Sequence, residues 1–403
     1  MYISIIFGKP KDDFLFYVMV CPVLSLAPSP IFRTFICLFI SIFKILILKG
    51  ISLRKITLIS IIYISLNIYT IDYVISGYTS FLTLLTFFMY ILIVMNKKVV
   101  EEINVKFLAW GIITSCAMML FVIYQSSSGS LAEYAYSQNL QYRMGEEVRG
   151  LGGSMGMTLY GGMTIGCIVY LIEKGSKTSF EKIILAYLGV WTVFIEIFAV
   201  SRTFFITMCF IVVLTFLTIR KKNRKFGTLI FSGLTFVILG YFVFNKYSAY
   251  LLPMIEKLNV YMSSASSSSR VDIWLSALKY IFTDPFVFLF GNGAQSYMTL
   301  NKNINYSFWG YGAHNLFLDV LLAWGWIGFS LVVTIVFHTF FNRRNNFSVR
   351  YATLIDLIPL LSWIFLMMAQ GSLRENTSYM YMIAVLIIAA KSGRKADRRR
   401  NNG

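Results

Sequence analysis

Long apolar runs separated by short charged clusters dominate the chain. A helix needs about 20 mostly apolar residues to cross a hydrocarbon core of roughly 30 Å. About twelve stretches approach that requirement: 13–30, 31–48, 56–73, 79–95, 107–125, 153–173, 182–200, 203–219, 227–245, 313–341, 352–370 and 379–390. Pro22 and Pro28 interrupt the first, and the last is short. The runs are continuous rather than alternating, which excludes a membrane β-barrel. The pattern predicts an all-α, polytopic integral membrane protein, with one membrane domain over 1–403. Lys9, Lys11, Asp12 and Asp13 precede the first span and no small-residue cleavage site follows it, so no cleaved signal is expected.

Two connections are long, 126–152 and 246–312. The second opens on a flexible SSASSSS stretch and then carries a helix signal. Ser269 is a candidate N-cap with Asp272 three residues on, and Trp274, Leu278 and Ile281 share an apolar stripe. The spacing predicts a helix over about 270–282, lying along the membrane face with Trp274 at headgroup level. Asp284-Pro285 ends it, and Gly291-Asn292-Gly293 marks a tight turn. Tyr297, Tyr306, Phe308, Trp309 and Tyr311 follow, as interfacial anchors or as platforms for sugar faces.

Composition agrees with the pattern. Hydrophobic residues make up 57% of the chain and charged residues 13%, with mean hydropathy +0.70. A soluble protein carries about 25% charged residues. The net charge of +18 raises nucleic acid as a partner, but the positions of the charges argue against it. Most of the 36 Lys and Arg fall in the N-terminal stretch, 49–55, 96–106, 174–182, 220–226, 342–350 and the tail. These are alternate connections, so the excess is a topology signal: both termini are expected in the cytoplasm and 246–312 outside. No soluble domain remains to present a nucleic-acid patch. The basic side matches anionic lipid headgroups of the bilayer. The five cysteines lie inside apolar segments without metal-ligand or disulfide spacing.

Candidate chemistry sits on the outer side. His314 enters the tenth span in GAHNLFLDVLLAWGWIGF. An imidazole there can act as a general base, or it can cap the helix. Asn315 orients a substrate or caps the same helix. Asp319 lies on the Asn315 face, about 140° round an ideal helix from His314, which disfavours a direct pair. His338 is read as having no site role. Arg149, Arg202 and Arg270, with Arg143 and Arg374, break the positive-inside bias. A guanidinium stays charged and forks onto phosphate oxygens. Arg202 pairs either with Glu196 or with a bound anion, since a charge at that depth needs a partner. Gly150, Gly152 and Gly153 let the backbone after Arg149 come close to a ligand. Three outer arginines and a histidine suit a lipid pyrophosphate. No Walker motif, dinucleotide fingerprint, zinc spacing or paired acidic metal site occurs, so no metal or other cofactor is expected.

Three stretches carry a resemblance: Arg270-Val271-Asp272-Ile273-Trp274 with the 291–293 turn, His314-Asn315-Leu316-Phe317-Leu318 running on to Gly325-Trp326-Ile327-Gly328, and Ser201-Arg202-Thr203. They resemble the O-antigen polymerase and O-antigen ligase superfamily of bacterial membrane glycosyltransferases, over about 145–330. The loop at Arg149-Gly150 resembles the family's earlier arginine loop more weakly. Many members carry an acid two positions before the first of the two glycines; here it is Ala323, and any role of that acid passes to Asp319 or is absent.

The resemblance implies transfer of a glycan from an undecaprenyl-pyrophosphate-linked oligosaccharide to an acceptor hydroxyl, on the outer face of a bacterial cytoplasmic membrane. His314 is the implied base. Arg270, Arg202 and Arg149 hold the pyrophosphate, and Asn315, Trp309 and Tyr311 contact the glycan. A chain-length regulator and a flippase are implied partners. Length and an Ile/Phe/Tyr-rich composition favour a repeat-unit polymerase for O-antigen, capsule or exopolysaccharide over a ligase, by analogy. A lipid-linked glycan flippase is the competing class. It predicts two similar halves and midplane charges, and neither is evident in the chain.

Overall fold

The computed structural model describes residues 91, 103–126, 153–175, 178–199, 202–220, 270–292, 313, 315–341, 348–370 and 381–391. Among the described residues every regular element is helical: α1 (Val105–Ser126), α2 (Gly153–Tyr170), α3 (Ser179–Ala199), α4 (Arg202–Arg220), α5 (Arg270–Thr283), α6 (Pro285–Phe290), α7 (Leu316–Phe341), α8 (Leu354–Gln370) and α9 (Tyr381–Lys391). A π turn, Leu171–Gly175, prolongs α2, and a 3-10 turn, Val349–Tyr351, precedes α8.

The expected spans at 107–125, 153–173, 182–200, 203–219, 313–341, 352–370 and 379–390 each coincide with a helix to within a few residues. Those at 13–30, 31–48, 56–73, 79–95 and 227–245 lie outside the described residues, apart from Ile91. So do the loop 126–152, beyond its first residue, and the first part of the loop 246–312. α7 is long and apolar enough to cross a membrane.

α2 is the hub, packed against α1, α3, α4 and α8. Its Gly162 and Gly166 are one turn apart and face α8: a Cβ at 162 would press on Leu366, and one at 166 on Ser362 and Pro359. Small residues at this spacing let helix backbones approach closely inside a bilayer. Ile165 of α2, Phe204 of α4 and Ile358 of α8 fill one apolar cluster, while Leu108 of α1, Met163 of α2 and Val385 of α9 belong to a larger one. α3 turns Phe180, Ile183, Tyr187 and Val190 outward, and Phe180 is 72% exposed. An outward apolar stripe of this kind is destabilising in water and fits lipid.

Ion pairs collect at one end of the bundle. Lys106 Nζ donates to Glu181 at 2.8 Å, and Trp110 Nε1 donates to the same carboxylate at 2.9 Å. Lys174 Nζ meets Asp356 at 2.5 Å, and Lys391 Nζ bonds the Ile103 carbonyl. These contacts bring the connections 96–106 and 174–182, the start of α8 and the tail together, as the alternation of basic connections requires. α3 runs away from that end, so Arg202 at the head of α4 lies at the opposite one.

Candidate active site

α5, α6 and the first half of α7 form one corner. α5 ends at Thr283 because Asp284 is extended and caps the next helix. Its Oδ1 accepts from Phe286 N at 2.8 Å and Val287 N at 3.3 Å, and Pro285 fills the first turn, where no N–H is needed. Ile273, Ala277 and Ile281 of α5 are buried, and the last two pack with Leu318 and Leu322 of α7. The expected stripe of Trp274, Leu278 and Ile281 packs on the same cluster, Ile281 buried and the other two partly so, and Ile273 and Ala277 widen it because α5 seats on α7. Its other face exposes Leu275, Lys279 and Phe282. The expected capping pair Ser269 and Asp272 lies outside the described side chains.

α7 bends at Gly325, whose φ of 60° and ψ of −170° are non-helical. The turn after α6 enters this bend. Asn292 N–H donates to the Leu322 carbonyl at 2.7 Å, and Asn292 Nδ2 donates to Tyr280 Oη at 3.0 Å. The Gly-Asn turn and the Gly-x-x-Gly element thus meet. Ala323, where many family members carry an acid, is buried at this crossing, its backbone beside Gly291.

The chain on both sides of His314 is fixed. Ala313 is fully buried. Its carbonyl accepts from Trp274 Nε1 of α5 at 2.8 Å, and its N–H donates to Asp319 Oδ1 of α7 at 3.0 Å. Asn315 is the N-cap of α7: its Oδ1 accepts from Phe317 N at 3.0 Å and Leu318 N at 3.2 Å. The cap is one of the two sequence readings of Asn315. Trp274 turns its indole N–H inward to the bend.

His314, Arg149, Trp309 and Tyr311 lie outside the described residues. Arg270 and Arg202 are the first residues of α5 and α4, with only their backbones described. Sequence reasoning missed the tie from Trp274 to Ala313 and the task of Asp319. An indole at a predicted membrane face and an acid in the first turn of a span were the available signals. Glu196, named as a partner for Arg202, is fully buried in α3 against Gly161 of α2. Among the described residues neither of its carboxylate oxygens has a hydrogen-bond partner.

Residues 187–333 match the family model described as O-antigen ligase. That stretch runs from α3 through the first half of α7 and includes every candidate site residue except Arg149. The ComP-specific O-oligosaccharyltransferase of Acinetobacter baylyi (strain ATCC 33305 / BD413 / ADP1) is 29% identical over 187 residues, covering 43% of this chain and 31% of that protein. The similarity therefore spans about a third of the length of the curated relative. Over 187–333 the chain is therefore similar to the O-antigen ligase family, and the helical bundle with its membrane-length α7 is compatible with a membrane protein.

Proposed function

We propose that the protein is a membrane glycan transferase of the O-antigen ligase type. It moves an oligosaccharide from a lipid pyrophosphate to an acceptor hydroxyl at the outer membrane face. The observation that carries this reading is the tie between α5, headed by Arg270, and Ala313, the residue before His314. The segment matching the ligase family contains both partners of that tie.

In the reaction, His314 takes the proton of the acceptor hydroxyl. The hydroxyl oxygen bonds to the anomeric carbon as the C1–O bond to the pyrophosphate breaks, and the electron pair leaves with the lipid pyrophosphate. Arg270, Arg202 and Arg149 stabilise the charge that develops there. Trp309 and Tyr311 supply stacking faces for the glycan. Asn315 acts by fixing the start of α7.

The polymerase preference gives way to the ligase reading. It rested on length and composition, whereas both matches are to proteins that their descriptions call a ligase or an oligosaccharyltransferase. Deleting the gene and extracting lipid-linked glycans tests the choice. A ligase leaves full-length chains on the lipid outside. Single repeat units outside would instead identify a polymerase, and units trapped inside a flippase.

A further inference from the structure

Ala313, the residue before His314, is held from two helices at once. Trp274 of α5 donates to its carbonyl, and Asp319 of α7 accepts the N–H of Ala313. Asn315 fixes the other flank by capping α7. The Ala313 carbonyl shares a peptide plane with the His314 nitrogen, so holding the one orients the other. Trp274 is also one turn from Arg270, and residues four apart lie on the same side of a helix. One indole–carbonyl bond therefore couples the helix of the proposed pyrophosphate-binding arginine to the backbone of the proposed base.

We infer that Trp274 and Asp319 are positioning residues for the transfer reaction, acting on the proposed base His314 through its neighbour Ala313. This rests on the proposed roles of His314 and Arg270. Toward Ala313, Asp319 acts as a hydrogen-bond acceptor. A displacement of about 1 Å in a reacting group can lower a rate by about 100-fold. Loss of either bond therefore lowers turnover, while donor binding is largely kept.

The conservative variants separate these roles. Trp274→Phe keeps an aromatic ring in the α5–α7 contact and removes only the donor. Asp319→Asn keeps an oxygen acceptor for Ala313 N–H, whereas Asp319→Ala removes it. With the full-length protein in vesicles, kcat and KM are measured against a lipid-pyrophosphate-linked glycan. Trp274→Phe and Asp319→Ala each lower kcat by about 10- to 100-fold with donor KM within about threefold, and Asp319→Asn recovers most of the turnover. The double variant Trp274→Phe/Asp319→Ala loses less than the product of the single losses, since both bonds hold the one residue Ala313. Full turnover in Trp274→Phe, or equal damage from Asp319→Asn and Asp319→Ala, overturns the inference. His314→Ala is run alongside. If it is as active as wild type, the proposed base is at fault; if it is inactive while Trp274→Phe is fully active, only the positioning role fails.

Discussion

Gly291 and Gly325 interlock where the turn after α6 crosses the bend of α7. A Cβ at 291 would fall on the backbone of Ala323 and Trp324, and a Cβ at 325 on the backbone of Leu289 and Phe290, in each case under 3.0 Å. Both glycines have positive φ with ψ near 180°, 76° and −174° at Gly291 and 60° and −170° at Gly325. Side chains essentially never adopt that conformation. Gly291→Ala and Gly325→Ala are each expected to destabilise the fold by about 2–3 kcal/mol or more, from strain and overlap with backbone that has no room to yield. Thermal unfolding in detergent measures this, and a wild-type midpoint in either variant contradicts the crossing.

The other end of the bundle offers a test of charge burial. The Asp356 side chain is fully buried and accepts from Thr353 N at 2.8 Å as well as from Lys174. Lys174→Met leaves that carboxylate without its cation, which is expected to cost about 1–3 kcal/mol, since Lys174 itself is exposed and Thr353 still donates to Asp356. Adding Asp356→Asn removes the charge yet keeps an acceptor for Thr353, so the double variant should be more stable than Lys174→Met alone. Chemical denaturation of the four proteins gives the cycle. A double variant no better than the single would show that the buried charge is not what destabilises Lys174→Met.

The contacts at that end unite connections that the sequence assigned to one side by their basic residues. The spans of this end were legible because hydropathy alone decides where helices of α1, α3, α4, α7 and α8 fall. The pairing of Gly291 with Gly325 was not, although both were noted as turn or motif residues, because only the long-range fold brings them together. The spacing of α5 showed Trp274, Leu278 and Ile281 on its packed side but not that Ile273 and Ala277 join them, since that needed α7 as the partner surface. Asp319 could be placed on the Asn315 face by periodicity. Its acceptor role needed the chain before α7 to fold back and deliver the Ala313 N–H.

Sidedness is open to chemical labelling. A cysteine at Ser266, in the loop proposed to face outward, should react with an impermeant maleimide in intact cells. Labelling only after permeabilisation would invert the orientation and remove the active site from the outer face.

Arg270 and Lys279 separate phosphate recognition from mere positive charge on α5. Lys279 is exposed on the outer side of the helix. An ammonium does not reproduce a bidentate guanidinium contact. Arg270→Lys should lose much of the transfer activity and Arg270→Ala nearly all, whereas Lys279→Ala is tolerated. Product formation at matched expression provides the comparison. Equal tolerance at both positions would leave the pyrophosphate to Arg202 and Arg149.

His314, which follows the Ala313 tied to α5, is the proposed base for glycan transfer. The direct measurement is the rate at which purified protein in vesicles passes a glycan from a lipid pyrophosphate to an acceptor, for wild type and His314→Ala. A positioned base contributes about 10²–10⁴-fold. His314→Ala is expected to lose that much while inserting and unfolding like wild type, and transfer at the wild-type rate by the folded variant would rule out His314 as the base.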